Sequence, residues 1–226
     1  MFNKVLIANR GEIAVRVIRA CRELGIGTVA VYSEADSEAL HTLLADEAIC
    51  IGPAKSQDSY LNMERILSAA VAMGADAIHP GFGFLSENAR FAELCGLCGM
   101  KFIGPDSRVI AKMGDKAEAR NTMIRAGVPV VPGGKEPVRT LEEARASAEE
   151  VGYPVMIKAA LGGGGKGMRT VWKPEELEAG FLNAQREAVK GFSDDTMYLE
   201  RYVENPRHIE FQILADEHGN VIHLGE

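Results

Sequence analysis

Short apolar runs alternate with amphipathic stretches over the first hundred residues, and few folds accept that order. Lys4–Asn9 reads as a buried strand, and Glu12–Leu24 as a helix with Ile13, Val17, Ala20, Cys21 and Leu24 on one stripe. Gly25 and Gly27 end it, and Thr28–Ser33 follows as a β-branched strand. The pattern recurs with strands at Ala48–Ile51, Asp76–His79 and Lys101–Ile103, and helices at Tyr60–Met73 and Asn88–Cys98. Strand–helix alternation of this kind implies an α/β fold, a doubly wound parallel sheet with right-handed crossovers. Ligands of such sheets gather at the carboxyl ends of the strands. Asn9-Arg10-Gly11-Glu12 and His79-Pro80-Gly81-Phe82-Gly83-Phe84 both fall there.

From Asp106 the character changes. Two helical stretches, Ser107–Met113 and Lys116–Ala126, meet at Gly114-Asp115, where Asp115 reads as an N-cap and Glu118 completes a capping box. After Val128–Val131 and a connection at Pro132–Pro137, a helix over Leu141–Val151 leads to a strand at Pro154–Ala159. A glycine tract follows. Beyond it come a short strand at Arg169–Trp172, a helix over Pro174–Lys190 and a strand at Met197–Arg201. His208–Ala215 and Val221–Gly225, joined by a turn at Asp216–Asn220, read as a final hairpin with no closing element.

Composition removes several classes of function. With 25 Lys+Arg against 32 Asp+Glu, the formal charge is −7, which lacks the basic excess that a nucleic-acid binder uses against phosphates. No run approaches the ~18 apolar residues of a membrane span. The N-terminus has neither the apolar core nor the cleavage site of a secretory signal. Four cysteines in 226 residues do not make a disulfide framework, so a reduced, cytoplasmic protein is expected. Hydrophobic residues at 46% suffice for a core, in one large domain or two small ones.

Glycine is in excess, at 24 of 226 residues against a norm of ~7%, and the excess has a focus. Gly162–Gly165 and Gly167 fall within six positions around Lys166, between two strands. Glycine loses the most backbone freedom on folding, so such a cluster implies positive φ, close approach or motion. A strand–glycine loop–strand fits a flap whose N–H groups wrap a polyphosphate; a flexible hairpin tip is the competing reading. It is not a Walker A loop, since it opens onto no helix and carries no Gly-Lys-Ser/Thr. Lys158 lies inside the apolar strand before it, and a lysine so placed calls for an anionic partner. Lys116, in the first turn of a helix, gains nothing from the helix dipole and fits a phosphate there, or else is a solvated surface lysine.

Other residues carry weaker signals. Glu200-Arg201-Tyr202-Val203, between a strand and the turn Glu204-Asn205-Pro206, offers the carboxylate, backbone groups and apolar wall that an adenine needs. Period-two alternation over Arg207–Leu214 puts His208, Glu210 and Gln212 on one face and Ile209, Phe211 and Ile213 on a face expected to pack on a core. Cys95-x-x-Cys98 has no second pair at zinc spacing and reads as two core thiols. His79 reads as a structural histidine, with a catalytic role the alternative, and Trp172 and the methionines read as core filling.

Several long strings together resemble the biotin carboxylases, the ATP-grasp component of acetyl-CoA carboxylase and its relatives. They are Lys4–Ala14, the His79–Asn88 string, Met113-Gly114-Asp115-Lys116, the Gly162–Met168 flap, and Glu204-Asn205-Pro206-Arg207-His208-Ile209-Glu210. The resemblance covers essentially the whole chain. It implies a Rossmann-like N-terminal domain over 1–112, followed from 113 to 226 by a truncated ATP-grasp domain with a mobile glycine-rich lid over about 131–202. It also implies that ATP and bicarbonate give carboxyphosphate, and that the carboxyl group then passes to biotin on a carrier protein. This would be the first half-reaction of acetyl-CoA carboxylase in fatty acid biosynthesis, or its counterpart in a pyruvate or other acyl-CoA carboxylase. A carboxyltransferase, a biotin carboxyl carrier protein and a second copy in a homodimer are the implied partners, and ATP with Mg the implied nucleotide.

Residue by residue, Lys116 and Lys158 match the family's phosphate lysines, Gly163, Gly164 and Gly165 its flap, and Glu200, Arg201, Tyr202 and Val203 its adenine hinge. His208 matches a nucleotide-contacting histidine, and Glu210 lies beside the triphosphate path as a support. Phe82 stands where many members carry tyrosine and so lacks that hydroxyl. The family's metal-binding glutamates and catalytic arginine lie past residue 226, so the resemblance implies a piece unable to turn over alone. Another ATP-grasp ligase is a second reading, against which the His79–Asn88 string argues. A dinucleotide-binding module is a third, opposed by the single glycine of Asn9–Glu12, where G-x-G-x-x-G needs three.

Overall fold

A computed structural model describes residues 2–134, 136–160, 167–192 and 194–226, with the side chains of Lys116, Ala117 and Phe192 outside that description. The chain divides into two compact units, Met1–Gly127 and Val128–Glu226. The glycine tract from 161 to 166 lies outside the described residues, and Gly163, Gly164 and Gly165 with it.

The first unit runs β1 (Lys4–Ile7), α1 (Gly11–Glu23), β2 (Gly27–Ser33), α2 (Leu40–Leu44), β3 (Glu47–Gly52), α3 (Met63–Ala72), β4 (Ala77–His79), α4 (Ala89–Leu97), β5 (Lys101–Phe102), α5 (Ser107–Gly114) and α6 (Lys116–Arg125). Its five strands are parallel, in the order β3-β2-β1-β4-β5. The alternation of the sequence thus becomes an α/β unit with a doubly wound sheet. Consecutive residues of β1 face opposite ways. Val5 and Ile7 pack with Ala14, Val17, Ile18 and Cys21 of α1, whereas Leu6 packs in a second core with Ile66, Phe91 and Phe102. Each face needs its own apolar partner, which is why β1 reads as an unbroken apolar run.

Helix ends follow side-chain chemistry. Asn62 and Asn88 accept from the N–H groups of Arg65 and Phe91 at the starts of α3 and α4. Asp115 accepts from Glu118 N at 2.9 Å, but its own N–H donates to Ala111 O at 3.3 Å, so the return half of the expected capping box is not made. Cys95 is buried on α4 and its thiol is pushed up to about 12 by burial, whereas Cys98, one residue past the helix, is exposed. The expectation of two core thiols therefore holds for Cys95 alone.

In the second unit, α7 (Leu141–Val151) leads into β6 (Val155–Ala159), β7 (Met168–Val171), α8 (Leu177–Phe192) and β8 (Met197–Arg201). The strands form an antiparallel sheet in the order β7-β6-β8. Val155, Ile157, Ala159, Val171, Met197 and Leu199 pack on Ala144, Ala148, Phe181, Ala184 and Ala188 of the two helices. A capping box not read from the sequence starts α7: Thr140 accepts from Glu143 N, and the Glu143 carboxylate accepts from Thr140 N.

The hairpin β9 (Ile213–Ala215) and β10 (Val221–His223) closes the described chain. The strand expected over His208–Ala215 forms only in its last three residues. Neither face of it is buried: Ile209, Phe211 and Ile213 are all about half exposed. Alternation supplies an apolar face, but burial needs a second surface, and none lies on it among the described residues. Among the described residues no helix is long and apolar enough to cross a membrane.

Candidate functional site

Two of the ion pairs sit where the sheets could meet a ligand. The first place is the carboxyl edge of the parallel sheet. The chain winds from β1 outward to β2 and β3, then returns to β4 on the other side, so the loops after β1 and β4 flank the switch point where doubly wound folds bind ligands. Here Asn9 is buried between those loops, and its Nδ2 donates to Pro80 O at 2.7 Å and Phe82 O at 2.8 Å. Gly81 lies against it at φ +63°, and a Cβ there would sit 2.7 Å from Asn9 Nδ2. The crevice is bridged by protein, which argues against the dinucleotide module.

Beside it, Asp36 is the hub of a saturated network. Its carboxylate accepts from Arg10 Nε at 2.8 Å, from a second Arg10 nitrogen, from Tyr60 Oη at 2.6 Å and from Ser33 Oγ at 3.0 Å. Burial alone would raise the Asp36 carboxyl, but the hydrogen bonds from Arg10, Tyr60 and Ser33 outweigh it and hold it below the ordinary carboxylate value. Tyr60 is pushed up to about 12, first by burial and then by its bond to Asp36. The Tyr60 ring stacks on Phe84 at 5.1 Å, tying in the loop after β4. His79 Nδ1 accepts from Gly81 N at 3.0 Å, a loop-shaping contact in keeping with a structural histidine. Burial lowers the pKa of His79 and also of His41.

The second place is the sheet of the second unit. Lys158 and Glu200 lie on neighbouring strands, two residues apart in register, and their side chains form an ion pair on the face away from α7 and α8. Both side chains are about a third exposed. The same face carries Met156, Met168, Thr170 and Tyr198, each half-buried. Period two explains the arrangement: odd positions of β6 feed the core, and even positions face outward. A cation and a carboxylate therefore sit side by side on a shelf with apolar shoulders, and Lys158 lies a few residues before the glycine tract.

The remaining expected site residues are dispersed. Lys116 opens α6 in the first unit behind the Asp115 cap, and its side chain lies outside the described atoms. Arg201 points its guanidinium to a structural task, donating through Nη2 to Val151 O at 2.9 Å. Tyr202 N donates to Pro154 O at 2.9 Å, and Val203 is half exposed. His208 and Glu210 approach to 3.3 Å on the surface. Glu210, Phe211, Gln212 and Leu224 line an open depression of about 560 Å³. No hydrogen bond or ion pair among the described residues joins His208 and Glu210 to Lys158 and Glu200. No group of three or more His, Cys, Asp or Glu side chains converges among the described residues, so the donor set of a metal ion is not found within them. Sequence reasoning missed the Asn9 bridge, the Asp36 hub and the outward side chains Met156, Met168 and Tyr198. Strand parity in β6, β7 and β8 is the local signal for the last group.

The comparisons agree with this architecture. Residues 1–110 match the model of the biotin carboxylase N-terminal domain, and residues 115–226 that of the carbamoyl-phosphate synthase L chain ATP-binding domain. Biotin carboxylase 1 of Bacillus subtilis is 59% identical over all 226 residues, which make up 50% of that protein. Among solved structures, the biotin carboxylase domain dimer of the Hydrogenobacter thermophilus 2-oxoglutarate carboxylase, in complex with MgADP, ADP and bicarbonate, is 57% identical. It superposes with a TM-score of 0.89 over 100% of this chain and 49% of that one. A Campylobacter jejuni biotin carboxylase in a β,γ-ATP complex gives a TM-score of 0.91 at 51% identity, over 99% of this chain and 50% of that one. The chain belongs to the biotin carboxylase family. It spans about half the length of the curated relatives it matches.

Proposed function

We propose that this chain supplies the nucleotide-binding part of a biotin carboxylase. In that reaction the bicarbonate oxygen attacks the γ-phosphorus of ATP, giving ADP and carboxyphosphate, and the carboxyl group then moves to biotin with release of phosphate. The observation that carries the reading is the Lys158–Glu200 pair on an outward sheet face. Adenine presents a ring-nitrogen acceptor beside an amino donor on one edge. An ammonium beside a carboxylate is its complement, and the long Lys158 side chain equally reaches an adjoining phosphate. Preorganised cations are the main device by which such sites stabilise charge that moves between phosphoryl oxygens. Bound structures of the relatives, with MgADP and bicarbonate in one and a β,γ-ATP complex in another, support the same ligands here.

The finer assignments belong to the same reading. Residues 1–112 act as the Rossmann-like domain and 113–226 as the first part of an ATP-grasp domain, with 131–202 its lid. Lys116, Lys158 and Gly163–Gly165 hold phosphates, Glu200–Val203 the base, and His208 the nucleotide, with Glu210 in support. Magnesium arrives with ATP, on ligands outside the described residues. Biotin carboxyl carrier protein, a carboxyltransferase and a second copy are the partners, in the cytoplasm, in acetyl-CoA carboxylase and fatty acid synthesis. The 226 residues alone bind nucleotide without turnover.

Equilibrium titration with ATP tests the core of this. Micromolar to millimolar binding that weakens at least tenfold in Lys158→Ala is expected. Bicarbonate-dependent, biotin-stimulated ATP hydrolysis by the chain alone would contradict its assignment as an incomplete catalyst. A substrate screen on the full-length protein separates a carbamoyl-phosphate type of ligase, the activity named in the second family model.

A further inference from the structure

The outward face of the second sheet has an aromatic end. On β7 the outward positions are Met168 and Thr170, and the next in step is Trp172; on β8 they are Tyr198 and Glu200, followed by Tyr202. The register places Thr170 and Glu200 on either side of Met156, so Trp172 and Tyr202 flank Pro154, one step further along. The Tyr202 N–H bond to Pro154 O fixes that end of the sheet. There the two rings meet edge to face, with centroids 5.4 Å apart and planes at 68°.

Trp172 is not core filling, as its residue type suggests. It is 53% exposed, because Val171 takes the inward position and Trp172 turns out. A lone exposed apolar residue needs no explanation; its placement does. Trp172 and Lys158 are separated by two outward steps of β6, four residues, or roughly 13 Å at ~3.3 Å per residue. Along that line the shelf runs from ammonium, through carboxylate and methionine, to a rigid pair of rings. A ligand fitted to it is anionic at one end and flat at the other.

We infer that Trp172, backed by Tyr202, is a binding residue for the base end of the nucleotide, and that it favours a nucleoside phosphate over bare polyphosphate. This rests on the nucleotide reading above. Trp172 is the chain's one tryptophan, so its emission reports on this spot alone. Titration of the chain with ATP and with adenosine shifts or quenches that emission, whereas inorganic tripolyphosphate, followed by calorimetry, binds without changing it. Trp172→Ala weakens ATP about five- to tenfold, the lower part of the range for base–aromatic stacking, and leaves tripolyphosphate within about twofold. Trp172→Phe restores most of the loss.

Unchanged ATP affinity in Trp172→Ala with silent emission in the parent chain overturns the inference. So does an equal loss of ATP and tripolyphosphate, which marks a merely structural ring. In either case a tenfold loss of ATP in Lys158→Ala leaves the nucleotide reading standing. If the parent chain binds no nucleotide at all, both fall together.

Discussion

Asp36 and Glu200 are both carboxylates facing a cation, and they differ in how much of their valence the fold uses. Asp36 accepts from two nitrogens of Arg10, from Tyr60 and from Ser33, and is buried. Glu200 meets Lys158 on a face where both remain about a third exposed. A saturated carboxylate holds loops together; an undersaturated pair keeps donors and acceptors for something else. Burial and completeness, more than charge, separate an architectural ion pair from a candidate site.

Substitution at the hub is the most severe way to press the contrast. Asp36→Ala strips partners from Tyr60 and Ser33 and leaves Arg10 without its anion, so we expect about 2–4 kcal/mol lost in urea unfolding. A loss under about 1 kcal/mol would erase the distinction. Lys158→Ala should behave oppositely: at least tenfold weaker ATP, about 1.4 kcal/mol, with stability changed by less than about 1 kcal/mol.

Acid sharpens the contrast further. His41 is fully buried, its Nε2 lies 3.3 Å from Val31 O, and burial lowers its pKa despite the nearby Asp36 carboxylate, with Arg10 adding to the lowering. Below about pH 6.5 the unfolded chain takes up a proton that the folded chain refuses, so stability declines as pH falls. His79 acts in the same direction, and Asp36 withdraws its contribution only as pH falls from the ordinary carboxylate value through its own lower one. Unfolding followed from pH 8 to 5 should show this slope, and His41→Asn should flatten it. The smallest effect belongs to Glu200→Gln, within about 0.5 kcal/mol of the parent in stability. A larger loss would make the shelf pair architectural too.

What the sequence made legible follows from locality. Buried parallel strands must be apolar runs, so β1 and β2 stand out, and Asp115 is visible as a cap because capping acts over three residues. Asp36 and Tyr60 lie 24 residues apart and meet only because β2 ends where the loop before α3 returns. Nothing local marks such a meeting. Trp172 resembles a core residue by type, but Val171 takes the inward position and strand parity turns Trp172 outward. At His208–Ala215 the alternation predicts a strand with a buried apolar face, but only Ile213–Ala215 is a strand and no face is buried, because alternation cannot tell whether anything covers the apolar side. Lys158 and Glu200 each stand out in the sequence; their contact depends on the register of β6 with β8. The Thr140-x-x-Glu143 capping box, by contrast, has a local signature.

The probes native to this chain are already sorted by region. All four cysteines, Cys21, Cys50, Cys95 and Cys98, precede residue 128, and the sole tryptophan follows it. Cys21 and Cys95 are shielded while Cys50 and Cys98 are open to reagent. Thiol alkylation kinetics therefore report on opening of one unit and indole emission on opening of the other, with no engineered label. Superimposable melting curves from the two would mean a single cooperative transition; separated curves would give each half its own unfolding equilibrium.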